Sequence, residues 1–312
     1  MASNDYHFIT EWHVQSTLQE VAEILGNAPD LMRWWPSVYL NVRELGVIPS
    51  AQIDPEVRAL KRGRTPLSLG VPAGEKGVEL ITWTLKPCLM AESYRAALAS
   101  ILFSNQNENS PEVILMTSPS PKEGKSTIIS NLAIALAEIK GRVLLIDADM
   151  RNPRLHKVFD TLNSWGLSDV LQEDAPIREY PEEMLSRPTK VPGLFLLPSG
   201  PGTLSVSSLL YSNRMNELLK RCRQQFETVL IDTAPMLQFP DARILAGLSD
   251  AVILVFRAGQ TEREEAQAAL QRFEDDGRPV LGCILNDWDP ATTGSDNHMS
   301  KYTQYYSGAH LS

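Results

Sequence analysis

Six short apolar runs recur along the last two thirds of the chain: VILMT (113–117), VLLIDAD (143–149), LFLLPSG (194–200), TVLIDTAP (228–235), AVILVFRAG (251–259) and VLGCILND (280–287). Each is continuously apolar rather than alternating, which is the pattern of a parallel strand covered by helices on both faces. Longer amphipathic stretches separate them. In STIISNLAIALAEIKG, Ile129, Leu132, Ala133 and Leu136 return at helical spacing and Gly141 supplies a stop. Strand alternating with helix predicts an α/β fold, doubly wound, with a mostly parallel sheet flanked by helices.

The pattern is different at both ends. Residues 41–87 are rich in Pro, Gly and charge with little periodicity, and read as a linker. Residues 1–40 hold one alternating run, YHFITEWHV, and one helical stripe, STLQEVAEILGN, too little to bury a core of their own. Residues 291–312 are polar and predict a flexible tail containing Tyr302, Tyr305 and Tyr306. The folded unit expected from these boundaries is 88–290.

Charge and cysteine usage narrow the function classes. A net charge of -9 argues against nucleic acid as a partner, since such binding needs a surplus of Lys and Arg. Cys88, Cys222 and Cys283 are odd in number, far apart and match no metal-ligand spacing, which predicts free thiols in a reducing compartment. No stretch approaches the ~18 apolar residues of a membrane span. A cytoplasmic chain without its own membrane anchor is the expectation.

Candidate chemistry lies in SPSPKEGKST, residues 118–127. A P-loop of the usual form is G-x-x-x-x-G-K-[ST]. Gly124, Lys125 and Ser126 supply its second half, but Pro119 stands where the first glycine belongs. A phosphate cradle needs inward backbone N–H groups, a helix N-terminus and a cation. A strand before the loop, a helix after it and Lys125 provide the setting. Gly124 would be where backbone approaches phosphate, Lys125 would reach the outer phosphates and Ser126 would ligate Mg²⁺. Lys125 is expected to face solvent until phosphate arrives. Asp147 and Asp149 end one strand and Asp232 another, at the sheet edge where open α/β folds bind ligands. One hydroxyl and a carboxylate suffice for Mg²⁺, which keeps several waters, and a second carboxylate is then free to accept a proton.

Taken together, SPSPKEGKST with NLAIALA, VLLIDADMRNPRLHKVF and TVLIDTAPML resembles the bacterial tyrosine kinases that accompany capsule and exopolysaccharide export, over roughly 88–290. The resemblance implies a deviant Walker A loop, with proline at Pro121 and no need of the first glycine. It implies ATP and Mg²⁺ as cofactors, phosphate contacts from Lys125, Ser126 and Thr127, and Asp147 as the catalytic carboxylate. Asp149 and Asp232 would organise metal and water, and Asn286 would recognise adenine. Lys125, Asp147 and Asp149 form the implied catalytic set, and Ser126, Asp149 and Asp232 the implied metal set.

The resemblance also implies phosphoacceptors at Tyr302, Tyr305 and Tyr306, modified on a neighbouring copy. The implied partners are further copies of the chain, a membrane polysaccharide co-polymerase or activator that recruits it to the inner face of the membrane, and a cognate tyrosine phosphatase. ESYRAALAS is similar to the family's E-x-x-R-x-x-R self-association motif at Glu92 and Arg95, with Leu98 in place of the last arginine. LGVIPSA resembles the family's juxtamembrane linker, and residues 6–40 resemble the opening of a START-like lipid- or polyketide-binding domain.

Two other functions fit parts of this pattern. One is a nucleotide-switch ATPase of the partition and cell-division type. Its signature lysine would stand at Ser120, whereas Lys122 comes two residues too late. The other is a catalytically decayed, ATP-binding regulator of polysaccharide export.

Overall fold

A computed structural model describes residues 42–54, 56–58, 78–85, 88–104, 111–203, 205–278 and 280–289. The expected START-like fragment and the tyrosine tail lie outside the described residues. All six apolar runs form strands of one sheet: β2 (Val113–Thr117), β3 (Val143–Asp147), β5 (Leu194–Leu197), β6 (Thr228–Asp232), β7 (Ala251–Arg257) and β8 (Gly282–Trp288). Two further strands, β1 (Glu44–Pro49) and β4 (Arg187–Pro188), complete the order β1-β8-β7-β2-β6-β3-β5-β4. Every pairing is parallel except β4 with β5. Strands β2, β3 and β6 are buried at every residue, as their uninterrupted apolar sequences require.

The longer helices cover both faces: α1 (Leu89–Leu102), α2 (Lys125–Ala137), α3 (Asn213–Gln225), α4 (Asp241–Ala246) and α5 (Arg263–Asp275). One face of the sheet packs Leu115, Leu144 and Ile231 against Leu218, Leu245 and Phe273. The other packs Ile114, Leu145 and Ile253 against Tyr94, Ile129 and Leu132. The three cysteines are free and buried, and burial pushes the Cys88 and Cys222 thiols up to about 12, which leaves them inert.

The linker expected over 41–87 is corrected by β1. ELGVIP pairs in parallel with β8, from Glu44 opposite Cys283 to Pro49 opposite Trp288, and buries Leu45 and Ile48. Its Gly and Pro, read in sequence as loop signals, have edge-strand uses. A Cβ on Gly46 would stand 2.6 Å from Cβ of Ala97, so glycine lets α1 lie directly on the strand. Pro49 ends an edge strand, where a missing N–H costs little. Residues 78–85 also belong to the folded unit: a 3-10 turn (Val78–Leu80) and a helical turn (Ile81–Thr84) bury Leu80 and Ile81 against α2. The unit therefore begins before residue 88, at Glu44 or earlier.

Candidate nucleotide site

Strand β2 delivers the chain to residues 118–124 at the carboxyl edge of the sheet, and α2 begins directly behind at Lys125. The loop reaches this form without its first glycine because side chains take over. Ser118 Oγ donates to the Ser120 carbonyl at 2.7 Å, and Ser120 N–H donates to Glu123 Oε2 at 2.8 Å. Glu123 is fully buried and its other oxygen accepts the Thr261 hydroxyl. Burial raises the Glu123 carboxyl above its ordinary range. Pro119 sits in the early loop, where no N–H is missed, and its carbonyl accepts Leu237 N–H at 3.3 Å. Lys122 and Gly124 both have positive φ, 66° and 96°, and bend the loop back towards α2. A Cβ on Gly124 would lie 2.1 Å from Nδ2 of Asn286, so any other residue there would both strain the backbone and displace Asn286.

The ends of β7 and β8 brace this loop from one side. Asn286 Nδ2 donates to the Glu123 carbonyl at 2.9 Å, and Arg257 Nη1 donates to the Lys122 carbonyl at 3.0 Å. Arg257 is itself held by Asp287 at 2.7 Å, and Ser120 Oγ donates to Glu265 of α5 at 2.8 Å. Asn286, expected to recognise adenine, is thus placed against the loop backbone. Lys125, expected to face solvent, is only 7% exposed.

On the other side, β3 and β6 run in register with Asp147 opposite Asp232. Ser126 Oγ, in the first turn of α2, donates to Asp232 Oδ2 at 2.6 Å. Asp147 Oδ2 accepts the N–H groups of Arg154 at 3.2 Å and Leu155 at 3.0 Å, which fixes the turn after the strand. Asp149 Oδ1 accepts the N–H of Asn152 at 3.0 Å. The remaining oxygens, Asp147 Oδ1 and Asp232 Oδ1, are buried with no hydrogen-bond partner among the described residues. Burial, then the neighbouring Asp232 charge, hold the Asp147 carboxyl well above the usual range. Asp232 is pushed up to about 6, chiefly by burial and against the pull of Lys125.

Lys125, Ser126, Asp147, Asp149 and Asp232 are therefore brought together at one sheet edge. Two orphaned carboxylate oxygens beside a serine hydroxyl are hard donors of the kind Mg²⁺ takes. Among the described residues no three acidic, histidine or cysteine side chains close around an ion unaided. A Mg²⁺ held here would complete its shell with phosphate oxygens and water, its usual habit.

Sequence reasoning missed Glu123, Thr261 and Arg257: Glu123 stands within the motif, the other two lie far from it in sequence, and the three meet only in the fold. It also missed Arg151. This guanidinium donates to both oxygens of the fully buried Asp241, at 2.6 and 3.0 Å, and lies 4.1 Å over the Phe239 ring. Ser207 donates to the same carboxylate at 2.7 Å. The pair ties the loop after β3 to the first residue of α4, a link across ninety residues that no spacing rule reveals.

The class defined by this fold and loop is a P-loop nucleotide-binding domain, and residues 113–274 match the family model of an AAA domain. The tyrosine-protein kinase YwqD of Bacillus subtilis is 33% identical over 226 residues, covering 72% of this chain and 89% of that protein. The tyrosine-protein kinase ptk of Acinetobacter johnsonii is 31% identical over 260 residues, but the chain spans only 35% of its length. Among solved structures, the kinase domain of the Escherichia coli tyrosine kinase ETK superposes with a TM-score of 0.68 at 26% identity, covering 80% of this chain and 91% of that one. This chain belongs to the bacterial tyrosine kinase family.

Proposed function

We propose that the chain is an ATP-dependent protein-tyrosine kinase that autophosphorylates Tyr302, Tyr305 and Tyr306 and regulates capsule or exopolysaccharide synthesis and export. The observation that carries this reading is the pairing of a glycine-poor phosphate loop with two buried, unsatisfied carboxylate oxygens at the adjoining strand ends, in a chain whose relatives are named tyrosine kinases. Gly124, Lys125, Ser126 and Thr127 hold the phosphates of ATP at the N-terminus of α2. Ser126, Asp149 and Asp232 hold Mg²⁺, which supplies charge neutralisation of the transferring phosphoryl group. Asp147, with its raised proton affinity, takes the proton of the attacking tyrosine hydroxyl. Asn286 closes the base side of the site while bracing the loop.

The chain acts in the cytoplasm on neighbouring copies, at the inner face of a membrane where a polysaccharide co-polymerase or activator recruits it. A cognate phosphatase reverses the modification. No helix among the described residues is long and apolar enough to cross a membrane. The chimerical protein CapA2B2, 25% identical, has a structure that matches 87% of this chain with a TM-score of 0.65.

Incubation of the purified chain with Mg·ATP, followed by mass spectrometry of the tail, tests the reading. Phosphate on Tyr302, Tyr305 or Tyr306, lost in the triple phenylalanine variant, is the expected result. Absence of phosphotyrosine with and without an activator would overturn it.

A further inference from the structure

Arg154 is a cationic residue beside the acidic strand ends for which the site described above has no task. Its backbone N–H rests on Asp147 Oδ2 at 3.2 Å, so its Cα is fixed beside the buried carboxylate. Its positive charge is felt at Asp232, where it works with Lys125 against the effect of burial. Yet the guanidinium is tied down by little. Arg151, three residues earlier, is locked bidentately on Asp241, whereas Arg154 is 56% exposed and, among the described residues, makes one long ion pair, Nη2 to Glu79 Oε1 at 3.6 Å.

Glu79 belongs to the 3-10 turn Val78–Leu80, and that turn is pinned to the helix behind the phosphate loop. Asn131 of α2 donates from Nδ2 to the carbonyls of Val78 at 2.8 Å and Thr127 at 2.9 Å, and its Oδ1 accepts Thr82 N–H at 2.9 Å. The acidic side chain is therefore held at a set place relative to α2, while the arginine facing it can turn.

We infer that Arg154 is a further substrate-contacting residue, whose guanidinium moves onto the outer phosphate of a bound nucleoside triphosphate, and that Glu79 is the counter-charge that holds it off while the site is empty. The inference rests on the nucleotide reading given above. An exposed ion pair is worth about 0–1 kcal/mol, whereas guanidinium–phosphate contacts are charge-assisted and commonly bidentate. A triphosphate would therefore draw the side chain away from Glu79 at small cost. A diphosphate, lacking the outermost group, would leave the pair in place. The arrangement makes Arg154 a reader of the third phosphate and places its restraint on the segment that precedes α1.

Binding, not turnover, tests this most directly. The affinities of the full chain for Mg·ATPγS and Mg·ADP are compared by calorimetry in Arg154→Ala, Arg154→Lys, Glu79→Gln and the Glu79→Gln/Arg154→Ala double variant. Arg154→Ala is expected to weaken the triphosphate analogue about 10-fold and the diphosphate less than about 2-fold, as loss of one charged hydrogen-bonded contact implies. Arg154→Lys recovers part of that loss. Glu79→Gln tightens the triphosphate analogue about 2- to 5-fold, the scale of a weak surface pair. In the double variant the gain disappears.

Equal loss for both nucleotides in Arg154→Ala, or no loss for either, would overturn the inference. A Glu79→Gln gain that persists without Arg154, or no gain at all, would overturn the restraint. Should Arg154→Ala unfold, shown by circular dichroism, Arg154→Gln carries the same comparison. Phosphotyrosine is scored separately: a parent chain that discriminates the triphosphate through Arg154 but transfers no phosphate sinks the kinase reading alone. A parent that binds neither nucleotide sinks both.

Discussion

The two walls of the nucleotide site are built on opposite plans. The wall at β7 and β8 is complete as it stands: Glu123, Thr261, Asn286, Arg257 and Asp287 satisfy one another around the phosphate loop. The wall at β3 and β6 is incomplete, with Asp147 and Asp232 each keeping a buried oxygen that has no hydrogen-bond partner among the described residues. A finished wall can hold the shape of an unusual loop, and an unfinished one stores the affinity that a cation and phosphates draw on. The shape of the site and its binding energy thus come from different strands.

The sharpest way to break this division is at the residue both walls share. Lys125→Met should abolish measurable nucleotide binding. Its melting temperature should stay equal to or above that of the parent, since a charged residue only 7% exposed is replaced by an apolar one of similar length. Calorimetric titration with Mg·ATP and a thermal melt check both halves of the statement.

Asp232→Asn tests the unfinished wall through pH. Its folded pKa of about 6 lies above the ordinary 3.8, so the folded state favours the protonated form and loses stability as pH rises from 3.8 through 6. Removing the charge should stabilise the empty domain at pH 8 by about 2–3 kcal/mol, an upper figure for a shift of roughly two units, and by little at pH 4. Urea melts at the two pH values give the difference. The same substitution should weaken Mg·ATP binding, so stability and function move in opposite directions on this side.

On the finished wall they should move together. Glu123→Ala leaves Ser120 N–H and the Thr261 hydroxyl without their acceptor, and should cost about 1–3 kcal/mol of stability along with nucleotide affinity. A variant that keeps both would show that the loop holds its form by backbone alone. The smallest effect is expected from Pro119→Gly, which restores the first glycine of the common loop. The proline lies where its φ is already suitable, so the change should destabilise by about 0.5–1 kcal/mol through the unfolded chain and leave nucleotide affinity within about 2-fold.

These differences follow how much of the molecule was legible in the sequence. The strands and α2 were readable because burial on both faces forces continuous apolar runs, and Asp147, Asp149 and Asp232 were readable because they end those runs. The unfinished wall is thus written locally. The finished wall is not: Glu123 meets Thr261 and Asn286 only after β7 and β8 have been laid beside β2, and each polar residue alone has an ordinary surface explanation. Strand β1 was missed for a related reason. Its Gly46 and Pro49 serve a close helix contact and a sheet edge, and both residues are turn signals when the partner is unknown.

That edge strand has a consequence for how the chain can be divided. Strand β1 is parallel to β8 and is held by Leu45 and Ile48 in the core beneath α1. A chain cleaved between residues 58 and 78 should keep β1 seated, and a separately made segment carrying ELGVIP should fill the vacant edge of a chain that begins at residue 78. The strand is in this sense an exchangeable part. The gene could be split in two there, and the halves would find each other by the same sheet hydrogen bonds and apolar contacts that now join them along one backbone.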